Sequence, residues 1–276
     1  MTSTVAKERH EGPRFEFGRN WKAFLPAVNE DRIRIAEEAT RSVLGLSTLE
    51  GKTLVDIGSG SGVFSLVAMR LGAQRVHSFD FDPLSVECTE EIKRRFFPGV
   101  ERWSIEQGSV LDSDYIRKLG KFDVVYSWGV LHHTGNMRLA LENAAALVSE
   151  NGLLFVAIYN HQAVWSGVWT GIKKLYSHLP GFGKLAMRIV FMAYFAIRFF
   201  LVDLAKLRNP LARYVKNRRG MSIYRDVVDW IGGYPFETAK PEAIFRFYRD
   251  RGFALEELTT CGSRHGCNEF VFRKAT

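Results

Sequence analysis

A chain of 276 residues, with 38 Lys and Arg against 30 Asp and Glu and 46% apolar residues, is long enough for one or two packed domains. Three cysteines, Cys88, Cys261 and Cys267, exclude a disulfide framework and point to a reducing, cytoplasmic setting. Residues 1–18 are polar and lack an apolar core, so no secretory leader is expected.

The first element from the N-terminus is FEFGRNWKAFL, Phe15–Leu25, an amphipathic stretch with Phe17 and Trp21 four apart. Residues 1–50 are expected to form helices that cap a sheet. Next comes Leu54–Gly62, LVDIGSGSG, a short apolar run ending in Asp56 and followed by Gly58, Gly60 and Gly62. An apolar helical pattern starts at Val63. Strand, glycine turn and helix in that order bring bare backbone N–H groups and a helix N-terminus to one ligand socket. The spacing is G-x-G-x-G rather than the dinucleotide G-x-G-x-x-G, and the carboxylate of Asp56 suits an ammonium group better than a pyrophosphate. A glycine turn that merely ends a strand is the plain alternative at this point.

Gln74–Asp80 reads as a second strand, placing Asp80 about twenty residues beyond the turn, where a βαβ unit offers a carboxylate to ribose hydroxyls. Phe81 suits the covering of an adenine, and Pro83 the first turn of a helix. Ser104–Ser109 and Phe122–Ser127 are the third and fourth strands. With these in view the chain resembles class I S-adenosylmethionine (SAM) dependent methyltransferases. VDIGSGSG matches the first motif, HSFDFDP the second, EQGSVLD the adenine-edge loop and FDVVYSWGVLHH the fourth.

The resemblance runs from about Arg14 to Arg273 with one long interruption. It implies an α/β fold in a single domain over residues 1–276, with a Rossmann-like seven-stranded, mostly parallel sheet and helices on both faces. The implied strand order is 3-2-1-4-5-7-6, the last strand antiparallel. It implies SAM as cofactor, with the loop of Asp56, Gly58, Gly60 and Gly62 around its methionine part and Asp80 on both ribose hydroxyls. Ser109 and Val110 would border the adenine, the backbone of Ser127, Trp128 and Gly129 would lie along the cofactor, and Phe17, Arg19, Asn20 and Trp21 would fold over it. Ser109 departs from the many relatives that place an acid there; serine still accepts a hydrogen bond, without charge.

The acceptor is approached first by exclusion. SWGVLHH stands where base-amino methyltransferases carry N-P-P-[YF] or D-P-P-Y, and Cys88 falls in the second crossover helix rather than at a strand end, so both nucleobase classes recede. What remains is in-line displacement at the sulfonium by oxygen, nitrogen or carbon, in which the protein aligns two atoms and excludes water. A hydroxyl also needs a proton acceptor, and His132, His133 and His265 are the candidates. Helix-start capping or a solvated loop is their ordinary alternative. Tyr159 and Asn160 at the end of the fifth strand, with Asp229, Trp230 and Tyr234 in DVVDWIGGYPFE, are candidate acceptor-binding residues. Cys261, His265 and Cys267 cluster, but lack a fourth ligand and C-x-x-C spacing, so no metal site is assigned.

Residues 161–221 form an insertion that holds the basicity. Eleven Lys and Arg lie between His161 and Gly220, opposed only by Asp203, a net +10 against +8 for the whole chain. Leu185–Leu207 is the most apolar stretch, interrupted by Arg198 and Asp203. On a helical wheel Lys184, Arg188, Arg198 and Lys206 fall within about 80°. That predicts a basic stripe beside a wide apolar arc, a helix lying on an anionic membrane through residues 184–219, with Trp165, Trp169 and Tyr176 at the boundary. A helix packed on the domain or a homodimer interface is the alternative. Nucleic acid is disfavoured, because the cations are interleaved with Phe, Ile and Leu.

The insertion's place after the fifth strand is similar to that in ubiquinone-biosynthesis O-methyltransferases. The expected function is SAM-dependent methyl transfer to a small or lipid-like acceptor, at oxygen, on the cytoplasmic face of a membrane. A soluble glycan or secondary-metabolite methyltransferase, and an inactive SAM-binding accessory subunit, are the alternatives.

Overall fold

A computed structural model describes residues 14–206, 223–262, 264 and 266–276; His265 and the basic run from Arg208 to Arg219 lie outside them. Apolar runs bounded by glycine or charged residues form β1 (Thr53–Ile57), β2 (Arg75–Asp80), β3 (Trp103–Gln107), β4 (Phe122–Trp128), β5 (Val148–Tyr159), β6 (Phe253–Thr259) and β7 (Cys267–Lys274). They make one sheet in the order β3-β2-β1-β4-β5-β7-β6, as expected. Strands β3 to β5 are mutually parallel, and β7 runs antiparallel to both β5 and β6. Strand β3 stops two residues short of the sequence expectation. A side chain at the following Gly108 would meet the Tyr115 ring at 2.5 Å, so the chain turns there with bare backbone.

Ten helices are described: α1 (Phe17–Phe24), α2 (Glu30–Leu44), α3 (Val63–Arg70), α4 (Pro83–Phe96), α5 (Ser113–Leu119), α6 (Met137–Ala146), α7 (Ala163–His178), α8 (Gly181–Ala205), α9 (Ile223–Gly232) and α10 (Pro241–Arg249). Side-chain caps set several of their starts. Asn29 accepts from the Arg32 N–H, Asp82 from Leu84, Asp112 from Asp114 and Tyr115, and Asn136 from Leu139.

Successive strand residues face opposite layers, so β1 sends Val55 and Ile57 into one core and Leu54 into the other. Chain order reverses between β1 and β4. Ligands of open α/β sheets bind at such a switch point, beyond the carboxyl ends of the strands. A third, smaller cluster built on Trp169, Phe195 and Val227 joins α7, α8 and α9.

The face of α8 differs from its sequence reading. Arg188 Nε donates to the Tyr176 hydroxyl at 2.7 Å, and Lys184 Nζ stands over the same ring at 5.9 Å. These two cations therefore turn toward α7, while Arg198 and Lys206 stay exposed. The wheel correctly groups the four but does not show which arc meets the domain. Phe191, Phe195 and Phe199 share the basic side and pack against α7 and α9, which draws that side inward.

Candidate active site

A cavity of about 890 Å³ opens at the carboxyl ends of β1, β2 and β4. Its floor is the glycine loop. Gly58 has φ +73°, and a Cβ there would lie 2.5 Å from both γ carbons of Val130. Gly60 has φ +55°, and a Cβ there would meet Trp21 Nε1 at 2.8 Å. Its N–H donates to Asp80 Oδ2 at 3.0 Å, which ties the loop to the end of β2. Asp80 Oδ1 accepts from the Asp82 N–H at 2.9 Å. A carboxylate offers about four lone-pair sites, so Asp80 keeps acceptor capacity toward the cavity it lines. Burial pushes its pKa up to about 6, against the pull of those N–H groups. Phe81, Ser109, Val110 and Trp128 line the same end.

Of the residues assigned to the cofactor, Asp56, Gly60, Gly62 and Ser127 do not line the cavity, and at Gly60 the Trp21 ring takes the space. Asp56 is buried beneath the loop, where its Oδ2 accepts from the Ser65 hydroxyl at 2.6 Å. Ser65 in turn pairs with Ser78, and Ser78 accepts from Trp103 Nε1. Burial pushes the Asp56 pKa up to about 7, so it anchors an internal polar chain instead of meeting an ammonium group. Gly62 packs α3 on α4, since a Cβ there would lie 2.8 Å from Thr89 Cα. Ser127 is fully buried, its hydroxyl aimed at the Ile57 carbonyl, so of the 127–129 backbone only Trp128 and Gly129 reach the cavity.

The roof is α1 and the residues before it. The Gly18 N–H donates to Asp82 Oδ2 at 2.8 Å, and Asn20 Nδ2 donates to Asp229 Oδ1 at 2.7 Å. Arg14 donates to the Thr134 carbonyl and lies over the Phe81 ring. Phe17, Arg19 and Trp21 line the cavity from above; Arg19 also pairs with Glu16 at 2.7 Å on the open side.

The far end is aromatic: Tyr159, Trp230 and Tyr234 line it with Asp229 and His133. His133 Nδ1 lies 2.7 Å from the Pro235 carbonyl oxygen. A carbonyl only accepts, so Nδ1 carries the proton and Nε2 the lone pair. Burial, then the nearby Lys173, push the His133 pKa down to about 3, and the ring stays neutral.

His132 corrects its assignment. It is fully buried away from the cavity, accepts the Tyr159 N–H at Nδ1, and burial holds it well below the usual histidine range. Asn160 also misses the cavity wall, binding the Gly262 carbonyl and Asn268 instead.

Sequence reasoning missed Phe15, Pro235 and above all Lys173. This lysine of α7 is fully buried. Its Nζ donates to the Trp230 carbonyl and lies 4.6 Å from the Phe236 ring centroid, 4.9 Å from Trp230 and 5.7 Å from Tyr159. Burial pushes its pKa down to about 7, while Asp229 pulls the other way. The available signal was its place four residues after Trp169 and three before Tyr176, on the apolar arc of the helix. Among the described residues no group of three or more His, Cys, Asp or Glu is arranged to hold a metal.

A family model described as a methyltransferase domain matches residues 29–208. The ribosomal protein L11 methyltransferase of Alteromonas mediterranea is 49% identical over 47 residues, which is 17% of this chain and 16% of that protein. The chain thus matches about one sixth of that relative's length. Among solved structures, an O-methyltransferase family protein from Burkholderia thailandensis superposes with a TM-score of 0.56 at 15% identity, over 93% of this chain and 60% of that one. The N-methyltransferase NodS of Bradyrhizobium japonicum, in complex with S-adenosyl-L-homocysteine (SAH), gives 0.51 at 13% identity, over 95% of this chain and 100% of that one. At these identities the two structures share the fold.

Proposed function

The chain belongs to the methyltransferase-domain family and takes SAM as its cofactor, and from that premise we propose O-methylation of an acidic oxygen on a small or lipid-like acceptor, at the cytoplasmic face of a membrane. One observation supports this reading most directly. A single cavity joins the carboxylate of Asp80 to an aromatic end that holds a neutral histidine.

SAM supplies the activated methyl group and leaves as SAH. The chain's residues fit it. Asp80 turns its carboxylate to the cavity where ribose hydroxyls would sit, the bare Gly58 backbone permits close approach, and Trp21 and Phe17 cover the cavity against water. Tyr159, Trp230 and Tyr234 offer flat apolar walls to an acceptor ring or tail. An acceptor oxygen held at this aromatic end would take the methyl group by in-line displacement, with SAH as the leaving group. A histidine held near 3 cannot store the released proton at neutral pH. Its Nε2 accepts a hydrogen bond and orients the nucleophile. An oxygen already ionised near neutral pH, a carboxylate or an acidified phenol, therefore suits this site better than an alkyl alcohol.

An acceptor screen with radiolabelled SAM, keeping lipid and aqueous extracts apart, is expected to place label in phenol or carboxyl products of the lipid fraction. Label confined to amines would overturn the reading. His133→Ala is expected to hold SAH affinity and to slow methyl transfer by roughly tenfold or more; unchanged turnover would remove His133 from the reaction. Affinity should also report on Asp80. Its ionised form accepts two hydroxyl donors and its protonated form does not, so SAH binding is constant above the pKa of about 6. Below it, affinity falls by up to about tenfold per pH unit, measurable by calorimetry.

A further inference from the structure

The outer side of α8 takes no part in the acceptor site. Ile189, Val190, Ile197, Phe200, Leu201 and Leu204 are each more than half exposed. On a helical wheel they share one arc, which Phe182 and Leu185 extend to the helix start. The arc is continuous over a helix of 25 residues, on which an 18-residue window has mean hydropathy 2.0 and is 6% buried. At 1.5 Å per residue that makes a greasy strip about 37 Å long. Length and composition alone would let α8 cross a membrane.

Its other side argues for a different placement. Phe195 is buried against Trp169 and Val227, and Arg188 is hydrogen-bonded to Tyr176 of α7. A helix fastened to its own domain along one side presents only the opposite arc to lipid. Neighbouring α7 adds Val164, Trp165 and Leu175, all more than half exposed, and Trp is favoured at the headgroup level.

We propose that α8 lies in the plane of an anionic bilayer, with its apolar arc in the headgroup–acyl boundary and the methyltransferase domain standing behind it. Charge selects this occupant over a second copy of the chain. Symmetric pairing through α8 would bring the exposed Arg198 and Lys206 of two copies together, while the one acidic residue of the helix, Asp203, is buried. Anionic headgroups complement the same charge. The cations flanking the arc, Arg198 and Lys206, are exposed and long enough to reach phosphate while their stems stay apolar. The anchoring holds whatever acceptor the cavity takes.

The test is flotation of the full chain with vesicles of phosphatidylcholine alone and of phosphatidylcholine mixed with phosphatidylserine. The parent protein is expected to float with the mixed vesicles and to be released by high salt only in part, because apolar burial is not screened. The triple variant Ile189→Glu, Ile197→Glu, Leu201→Glu should lose at least tenfold of that binding. Its SAH affinity and far-UV circular dichroism should match the parent, which separates lost anchoring from lost folding or a failed cofactor site. Three results would overturn the proposal: no flotation of the parent, equal flotation of the variant, or a parent dimer that the variant turns into monomer. A weaker arm, Arg198→Glu with Lys206→Glu, should lower binding to mixed vesicles and leave any binding to pure phosphatidylcholine unchanged.

Discussion

Asp80→Asn is expected to weaken SAH binding about a hundredfold, the largest loss from any single isosteric change in the site. Hydrogen bonds to a charged group contribute about 1.5–3 kcal/mol each, and two ribose hydroxyls together reach roughly 3 kcal/mol, which is about two decades of affinity. The asparagine also turns an NH2 group toward one of the backbone N–H donors that Asp80 now accepts, among them Gly60 and Asp82. Calorimetry on the two proteins measures the difference. Asp56→Asn serves as the internal contrast, because that carboxylate is sealed under the loop with Ser65 and should alter affinity far less. A loss under threefold for Asp80→Asn would remove it as the ribose acceptor.

Gly58→Ala should be among the most damaging one-carbon changes in the chain. Its φ of +73° is unfavourable for any residue with a Cβ, by about 1–2 kcal/mol. Contact at 2.5 Å with both Val130 methyls adds an overpacking cost of about 1–3 kcal/mol. Urea unfolding should therefore show a loss of about 2–5 kcal/mol, with SAH binding reduced in whatever remains folded. Combining it with Val130→Ala removes the contact and leaves the backbone cost. The double variant should then recover part of the stability and never all of it. Full recovery would mean that the backbone at position 58 carries no strain when substituted.

The strands were legible because they rest on local signals, and their order followed from the family resemblance that those signals carry. The runs at Leu54–Ile57 and Phe122–Ser127 are apolar over strand length, and Asp80 and the glycines stand at fixed offsets from them. Those offsets place residues at the correct end of the sheet without saying which way each side chain points. Asp56 and Asp80 look alike in sequence, each an acid at a strand end. Asp80 lines the cavity, whereas Asp56 is absorbed by Ser65. His132 and His133 are adjacent, and the short turn at Leu131–His133 sends them to opposite fates. His133 is held to Pro235, more than a hundred residues away, a partner no local pattern discloses. The same limit explains α8. Periodicity groups the cations into one stripe, but only the packing of Phe191 and Phe195 and the Tyr176 contacts reveal that Lys184 and Arg188 turn inward while Arg198 and Lys206 stay exposed.

Lys173 also bears on how this chain can be re-engineered. The ammonium that fills the space between Tyr159, Trp230 and Phe236 comes from α7, while the three rings come from β5, α9 and the loop beyond it. The helical arm and the aromatic wall of the cavity are thus not separable modules. A chimera that exchanges only the helical arm would import a foreign residue beneath Trp230 and leave its carbonyl without the donor it now has. A transplant that keeps the pocket intact must carry α7, α8 and α9 as one cassette, with Tyr159 and Phe236 matched to whatever side chain arrives at position 173.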